Sequence, residues 1–156
     1  MTIPTSGDFR ARFDALLDEH RMMLHDSLNG LTEDEVRRSL VPSATTLLGI
    51  VRHVTFAERV WFDQDISGRS RAEIGLPESV EDSWVLAPED TIASIQAAHR
   101  HACDESREVA ATLDLDTEVR GRTPHPLWTT YLHLLRELAQ HCGHAEILRE
   151  QILAAR

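Results

Sequence analysis

The chain has 156 residues, 42% of them apolar, with a formal charge of −10 and a sequence isoelectric point near 5.3. That length supplies one hydrophobic core and is short for two, so a single domain over 1–156 is expected. An acidic surface repels phosphate backbones and anionic lipid at long range, which argues against nucleic acid or a membrane as a partner.

The opening stretch MTIPTSGDFRAR has no apolar core of signal-peptide length, and no later run approaches the roughly 20 apolar residues that cross a bilayer. The expected location is therefore the cytoplasm. Asp8 is placed to cap a first helix, in which Phe9, Phe13, Leu16, Leu17, Met23, Leu24 and Leu28 recur at three-to-four-residue intervals up to the Asn29-Gly30 break. Thr32 and Glu35 have capping-box spacing for a short helix through about Leu40. Pro42-Ser43 then opens SATTLLGIVRHVTFAERVWFDQDI, where Ile50, Val54, Ala57 and Trp61 form a second apolar stripe. Residues 67–90 mix Gly, Pro, Ser and charge without a period and read as a long crossover, a candidate lid. Pro88 suits the first turn of a third long helix whose stripe is Ile92, Ile95, Ala102, Val109 and Leu113. Beyond it only TEVRG has strand character. Pro124 and Pro126 set up a last helix with the stripe Leu134, Leu138, His141, Ala145, Leu148 and Ile152. Four long amphipathic helices with one long connection describe an all-α four-helix bundle.

That last stripe is interrupted. Glu137, His141 and His144 follow one another at helical spacing on a single face, between Leu134 and Leu148, where core is expected. An unpartnered carboxylate or imidazole costs several kcal/mol to bury, so the row is solvated in a groove, hydrogen-bonded internally, or bound to a cation. His53 lies on the flank of the second stripe, where a lone histidine is usually a satisfied core residue. Taken together, His53, Glu137 and His141 offer three N/O ligands from two helices, the ligand count of an open catalytic zinc site.

SATTLLGIVRHVTFAERVWF and LLRELAQHCGHAEILREQI together resemble the two signature helices of the DinB-like superfamily, in the branch with LLGLVRHL and ExxRHxGHADLLRE patterns. The resemblance extends over nearly the whole chain through its helix order. It implies a metal-binding four-helix bundle, and several members are transferases or isomerases that use mycothiol or bacillithiol. Carried over by position, it makes His53 the ligand from the second long helix, and Glu137 and His141 the pair from the last. Many relatives have His at the position of Glu137; the Glu form is similar to that of mycothiol-dependent maleylpyruvate isomerase, whose zinc is held by two His and one Glu. That isomerase carries a further domain after the bundle and this chain stops at Arg156, so the expected activity is a thiol S-transferase rather than an isomerase. Mycothiol or a similar thiol is then the cosubstrate and the nucleophile, a small electrophile is the substrate, and no protein side chain is assigned as catalytic. Zinc is the first choice of metal, with Ni, Mn or Fe(II) also suited to two imidazoles and a carboxylate. A homodimer is implied by the family. The alternative is a non-catalytic, metal-binding stress-response bundle.

Other residues read more plainly. His144 is a fourth ligand, an outer partner of the site, a proton shuttle, or packing. His20 and His99 are hydrogen-bonded at the edge of the core. Glu58 is an exposed salt-bridge residue and Arg149 a solvent ion-pair partner. Trp61, Trp84 and Trp128 are packing more often than pocket. Cys103 and Cys142 are reduced thiols, too few and too far apart for a disulfide framework or a CxxC site. Cys142 points roughly 100° away from His141 around the helix and is a small core residue.

Overall fold

The computed structural model describes residues 9–156, and Asp8, read above as a cap, lies outside the described residues. Helix α1 is Phe9–Asp26, the single turn α2 is Glu33–Val36, and α3 is Leu47–Glu58. A π-helical turn, Arg59–Gln64, and the short α4, Asp65–Ser67, continue α3. A 3₁₀ turn follows at Glu81–Trp84, then α5 at Ile92–Ala111. Strands β1 (Glu118–Val119) and β2 (His125–Pro126) precede α6, Leu127–Ala154.

Local chemistry sets these boundaries. Thr32 makes the expected capping box with Glu35, but the helix it starts lasts one turn and does not reach Leu40. Thr46 caps α3, its hydroxyl accepting from the Gly49 N–H at 3.0 Å. The start of α5 corrects the reading of Pro88. Thr91 is the cap, in a reciprocal pair of bonds with Ser94, and Pro88 lies in the preceding loop. Pro126, extended at φ −69° and ψ 148°, stands at the N-cap of α6 as its sequence suggested. The TEVRG segment does contribute a strand, β1, which pairs antiparallel with β2 in the register Val119↔His125.

Helix α1 packs on α6 and α5, and α3 packs on the same two, so α1 and α3 stand diagonally across a four-helix bundle. Leu17, Leu24 and Leu28 of α1, Ile50, Val51 and Val54 of α3, and Leu134, Leu138, Leu148 and Ile152 of α6 fill its centre. Two members of the predicted α1 stripe are surface residues: Phe9 is 69% exposed and Met23 41%. Arg149 is also corrected. It donates Nη1–H to the carbonyl of Ser27 at 2.7 Å, satisfying an acceptor beyond the end of α1. No helix of the described residues is long and apolar enough to cross a membrane.

A candidate metal centre

Helix α3 is buried on nearly every side. Its LLGIVRHVTFAE sequence meets α5, α6 and the Glu81–Trp84 turn, leaving His53 only 5% exposed. On α6, Glu137 and His141 are one helical turn apart and face the same way. Nε2 of His53 lies 3.2 Å from Oε1 of Glu137, and Nε2 of His141 lies 3.1 Å from that same oxygen. The three ligand-type atoms are all within 4.8 Å of one another. The three residues picked out from sequence therefore converge on one point.

The hydrogen-bond network fixes how the rings are presented. The Ser83 hydroxyl donates to the Val80 carbonyl at 2.5 Å, so it accepts from His53 Nδ1–H at 2.7 Å. With Nδ1–H committed to Ser83, the contact of Nε2 with the carboxylate oxygen needs a proton or a cation between them, since two bare lone pairs repel. The far nitrogen of His141 is similarly engaged, with Nδ1 at 3.4 Å from Nδ1 of His144. His144 itself is exposed and stands behind His141, away from the point where the other three meet. Imidazoles whose outer nitrogens are occupied and whose inner nitrogens share a carboxylate form a donor set suited to a divalent ion. Hydrogen bonds from His141 and then His53 outweigh the opposing effect of burial and hold the Glu137 carboxyl far below the usual carboxylate range.

Ser83 carries no signal in the sequence, while Trp84, read above as packing more often than pocket, packs against the core and also walls this centre. Ser83 and Trp84 both come from the 67–90 connection, which is thus part of the site wall and not only a cover. The Trp84 ring stacks on His53 with centroids 4.0 Å apart and planes 11° from parallel. Trp61 packs against the core as expected and also lines the wall of a cleft, its ring lying against His133 at 3.8 Å. Trp128 is 40% exposed and belongs to neither.

That cleft, about 880 Å³, opens outward from His53 and Glu137. The π-helical turn lines it with Val60, Trp61 and Gln64, and the hairpin residues 120–125 form its far wall. Asp65 lies in it with a carboxyl raised above its ordinary value by burial. His133, half-buried nearby, is pushed down by burial and by the charge of Arg136.

Elsewhere two sequence readings are corrected. Glu58 is fully buried rather than exposed, held by Arg21 of α1. His99 is buried with no hydrogen-bond partner at Nε2 among the described residues, and its ring stacks near His25. His20 matches its reading: Nδ1–H donates to the Leu16 carbonyl at 2.7 Å.

Compared with known families, residues 12–154 match the model of the mycothiol-S-transferase family, almost the entire chain. No curated protein gives a significant match.

Proposed function

The chain belongs to the mycothiol-S-transferase family, and from that premise we propose that it is a cytoplasmic, zinc-dependent enzyme joining mycothiol or a similar small thiol to electrophilic carbon. One observation carries the reading beyond family membership: Nε2 of His53 and of His141 converge on Oε1 of Glu137 at the inner end of an open cleft. In this reading those three residues hold the ion, and His144 supports His141 from behind. The bound ion supplies one thing, a positive charge that keeps a neighbouring thiol ionised at neutral pH.

The protein's own groups do the rest. Ser83 holds the His53 tautomer, and Trp84 covers the flat face of that ring, excluding water from one side. The cleft leaves the opposite side open to a thiol and an electrophile together. The transfer forms one S–C bond; the thiol proton goes to water, and with a halide substrate the halide leaves with the C–X electron pair.

The test combines metal analysis with turnover of mycothiol and chlorodinitrobenzene or monochlorobimane. The expected result is one bound ion and metal-dependent conjugation, both lost in H53A and H141A with helical content intact. Bound metal with no turnover of any small thiol would return the non-catalytic metal-binding reading. A folded protein that takes up no divalent ion overturns both.

A further inference from the structure

The outer wall of the cleft is cationic, against the trend of the chain. Arg69, Arg71, Arg120 and Arg122 line it, facing only Asp65 and Glu73 as acids away from the metal end, in a protein whose formal charge is −10. The four are not equivalent. Arg69 is neutralised by Asp63 at 2.7 Å, and Arg71 lies over the Phe56 ring at 5.1 Å while donating to the Glu78 carbonyl. The guanidinium groups of Arg120 and Arg122 have no carboxylate or hydrogen-bond partner among the described residues.

Their position is built. The N–H groups of Arg120 and Gly121 both donate to the Asp65 carbonyl, at 3.0 and 3.2 Å, pinning the tip of the β1–β2 hairpin to the end of the π-helical segment. Gly121 turns the chain at φ +45°, and a Cβ there would meet His125 Cε1 at 2.7 Å. The Arg120 side chain crosses Gly68, where a Cβ would come within 2.9 Å of its Nη1. Two forked, permanently charged donors are thus carried on an anchored loop in the lining of the cleft that also holds His53 and Glu137, with no ion-pair partner among the described residues. Guanidinium forks match carboxylate oxygens two at a time.

We propose that Arg120 and Arg122 bind a carboxylate of the electrophilic substrate, so that the preferred partner of the thiol is an anionic electrophile. The inference rests on the transferase reading for the word substrate, but the binding it describes is measurable without turnover. A carboxylate on the thiol would satisfy the same chemistry. Mycothiol has its cysteine carboxyl tied up as an amide, so the two sources separate experimentally.

The first arm is calorimetric binding of unreactive 3,5-dinitrobenzoate and its neutral amide to the metal-loaded protein. Wild type is expected to bind the carboxylate about ten- to a hundredfold more tightly than the amide, the worth of hydrogen bonds to a charged group. In R120Q/R122Q that preference collapses; should the double variant not fold, R122Q, which leaves the Arg120 side chain over Gly68 in place, is read the same way. A wild type with no preference, or a preference that survives in the variant, overturns the proposal and points to another group in the cleft.

The second arm follows kcat/KM for 4-chloro-3,5-dinitrobenzoate and the corresponding amide with mycothiol, each normalised to its uncatalysed rate. Carboxylate preference that falls with R120Q/R122Q supports the assignment. If neither compound turns over, the transferase reading fails while the binding arm still decides what the arginines hold. If the variant instead loses activity selectively with bacillithiol, a carboxylate-bearing thiol, toward the neutral amide, the wall reads the thiol and the assignment to the electrophile is wrong.

Discussion

Arg21 of α1 and Glu58 at the end of α3 meet inside the bundle as a two-point ion pair, Nε to Oε1 at 2.6 Å and Nη2 to Oε2 at 2.9 Å. The side chains are 5% and 0% exposed, and the pair joins the two helices that stand diagonally to each other. Burial works against the charged guanidinium, yet the Glu58 carboxylate raises the Arg21 pKa above its ordinary value. Removing Arg21 strands the Glu58 carboxylate in the core, so R21M is expected to lower unfolding free energy by about 3–5 kcal/mol; E58Q, which leaves Arg21 bonded to Asp18 at 2.9 Å, costs less, and R21M/E58L recovers most of the R21M loss. Urea denaturation of the four proteins measures it. R21M within about 1 kcal/mol of wild type would contradict the pairing.

Ser83 reaches the candidate metal centre from the far side of His53. Its hydroxyl accepts from Nδ1–H and donates its own O–H to the Val80 carbonyl, so the imidazole is oriented with Nε2 towards Glu137. Loss of such a support typically weakens metal binding about 10–100-fold, the drop expected for S83A in competition with a chromogenic chelator. S83T, which restores the hydroxyl, should return most of the affinity. Equal affinity in S83A and wild type would mean that stacking by Trp84 alone fixes the ring.

The features legible in the sequence are those whose signal repeats along one helix. The α6 stripe from Leu134 to Ile152 declares its own period, and Glu137 and His141 stood out because they break it. Ser83 had no such background, since a turn inside an aperiodic connection reveals its neighbours only on folding. Glu58 reads as exposed because its partner lies on another helix, although Arg21 sits between Leu17 and Leu24 at core spacing and carries the missing half of the signal. Pro88 draws the helix start too early because proline is conspicuous, while the Thr91–Ser94 capping box differs from the common Thr–Glu form. The surface positions of Phe9 and Met23 show that apolar character at helical spacing overstates the buried arc.

His99 makes stability depend on pH. Burial, followed by the charges of His25, Arg21, Arg107 and Arg100, lowers its pKa to about 3. The folded protein therefore keeps the ring neutral, while the unfolded chain takes up a proton below its ordinary 6.5. Stability contributed by this group is complete above pH 6.5 and is lost as pH falls towards 3, with a limiting slope of about 1.4 kcal/mol per pH unit. His25 and His133, both lowered chiefly by burial, act in the same direction. H99L should remove about 1–2 kcal/mol of the decline between pH 6.5 and 5, a window above most carboxylate titration. Parallel urea midpoints for H99L and wild type across that window would show that the ring is hydrated.

The last prediction concerns the protein's own sulfur. Burial and then the Glu58 charge push the Cys103 thiol up to about 12, and burial with the Glu146 charge raises Cys142 to about 11. Both are buried, and Cys142 spends its S–H on the His20 carbonyl at 3.6 Å. Because the thiolate is the nucleophile, iodoacetamide at neutral pH should modify either cysteine in the native protein at least about a hundredfold more slowly than free cysteine, and both at ordinary rates in urea. Mass spectrometry of the time course distinguishes the two. It follows that C142S and C103A should keep conjugating activity wherever they fold, since the reacting sulfur arrives with the small thiol. Loss of turnover in a folded, metal-loaded C142S would instead place a protein thiol in the chemistry, next to His141 and on the wrong face of α6 for the centre described.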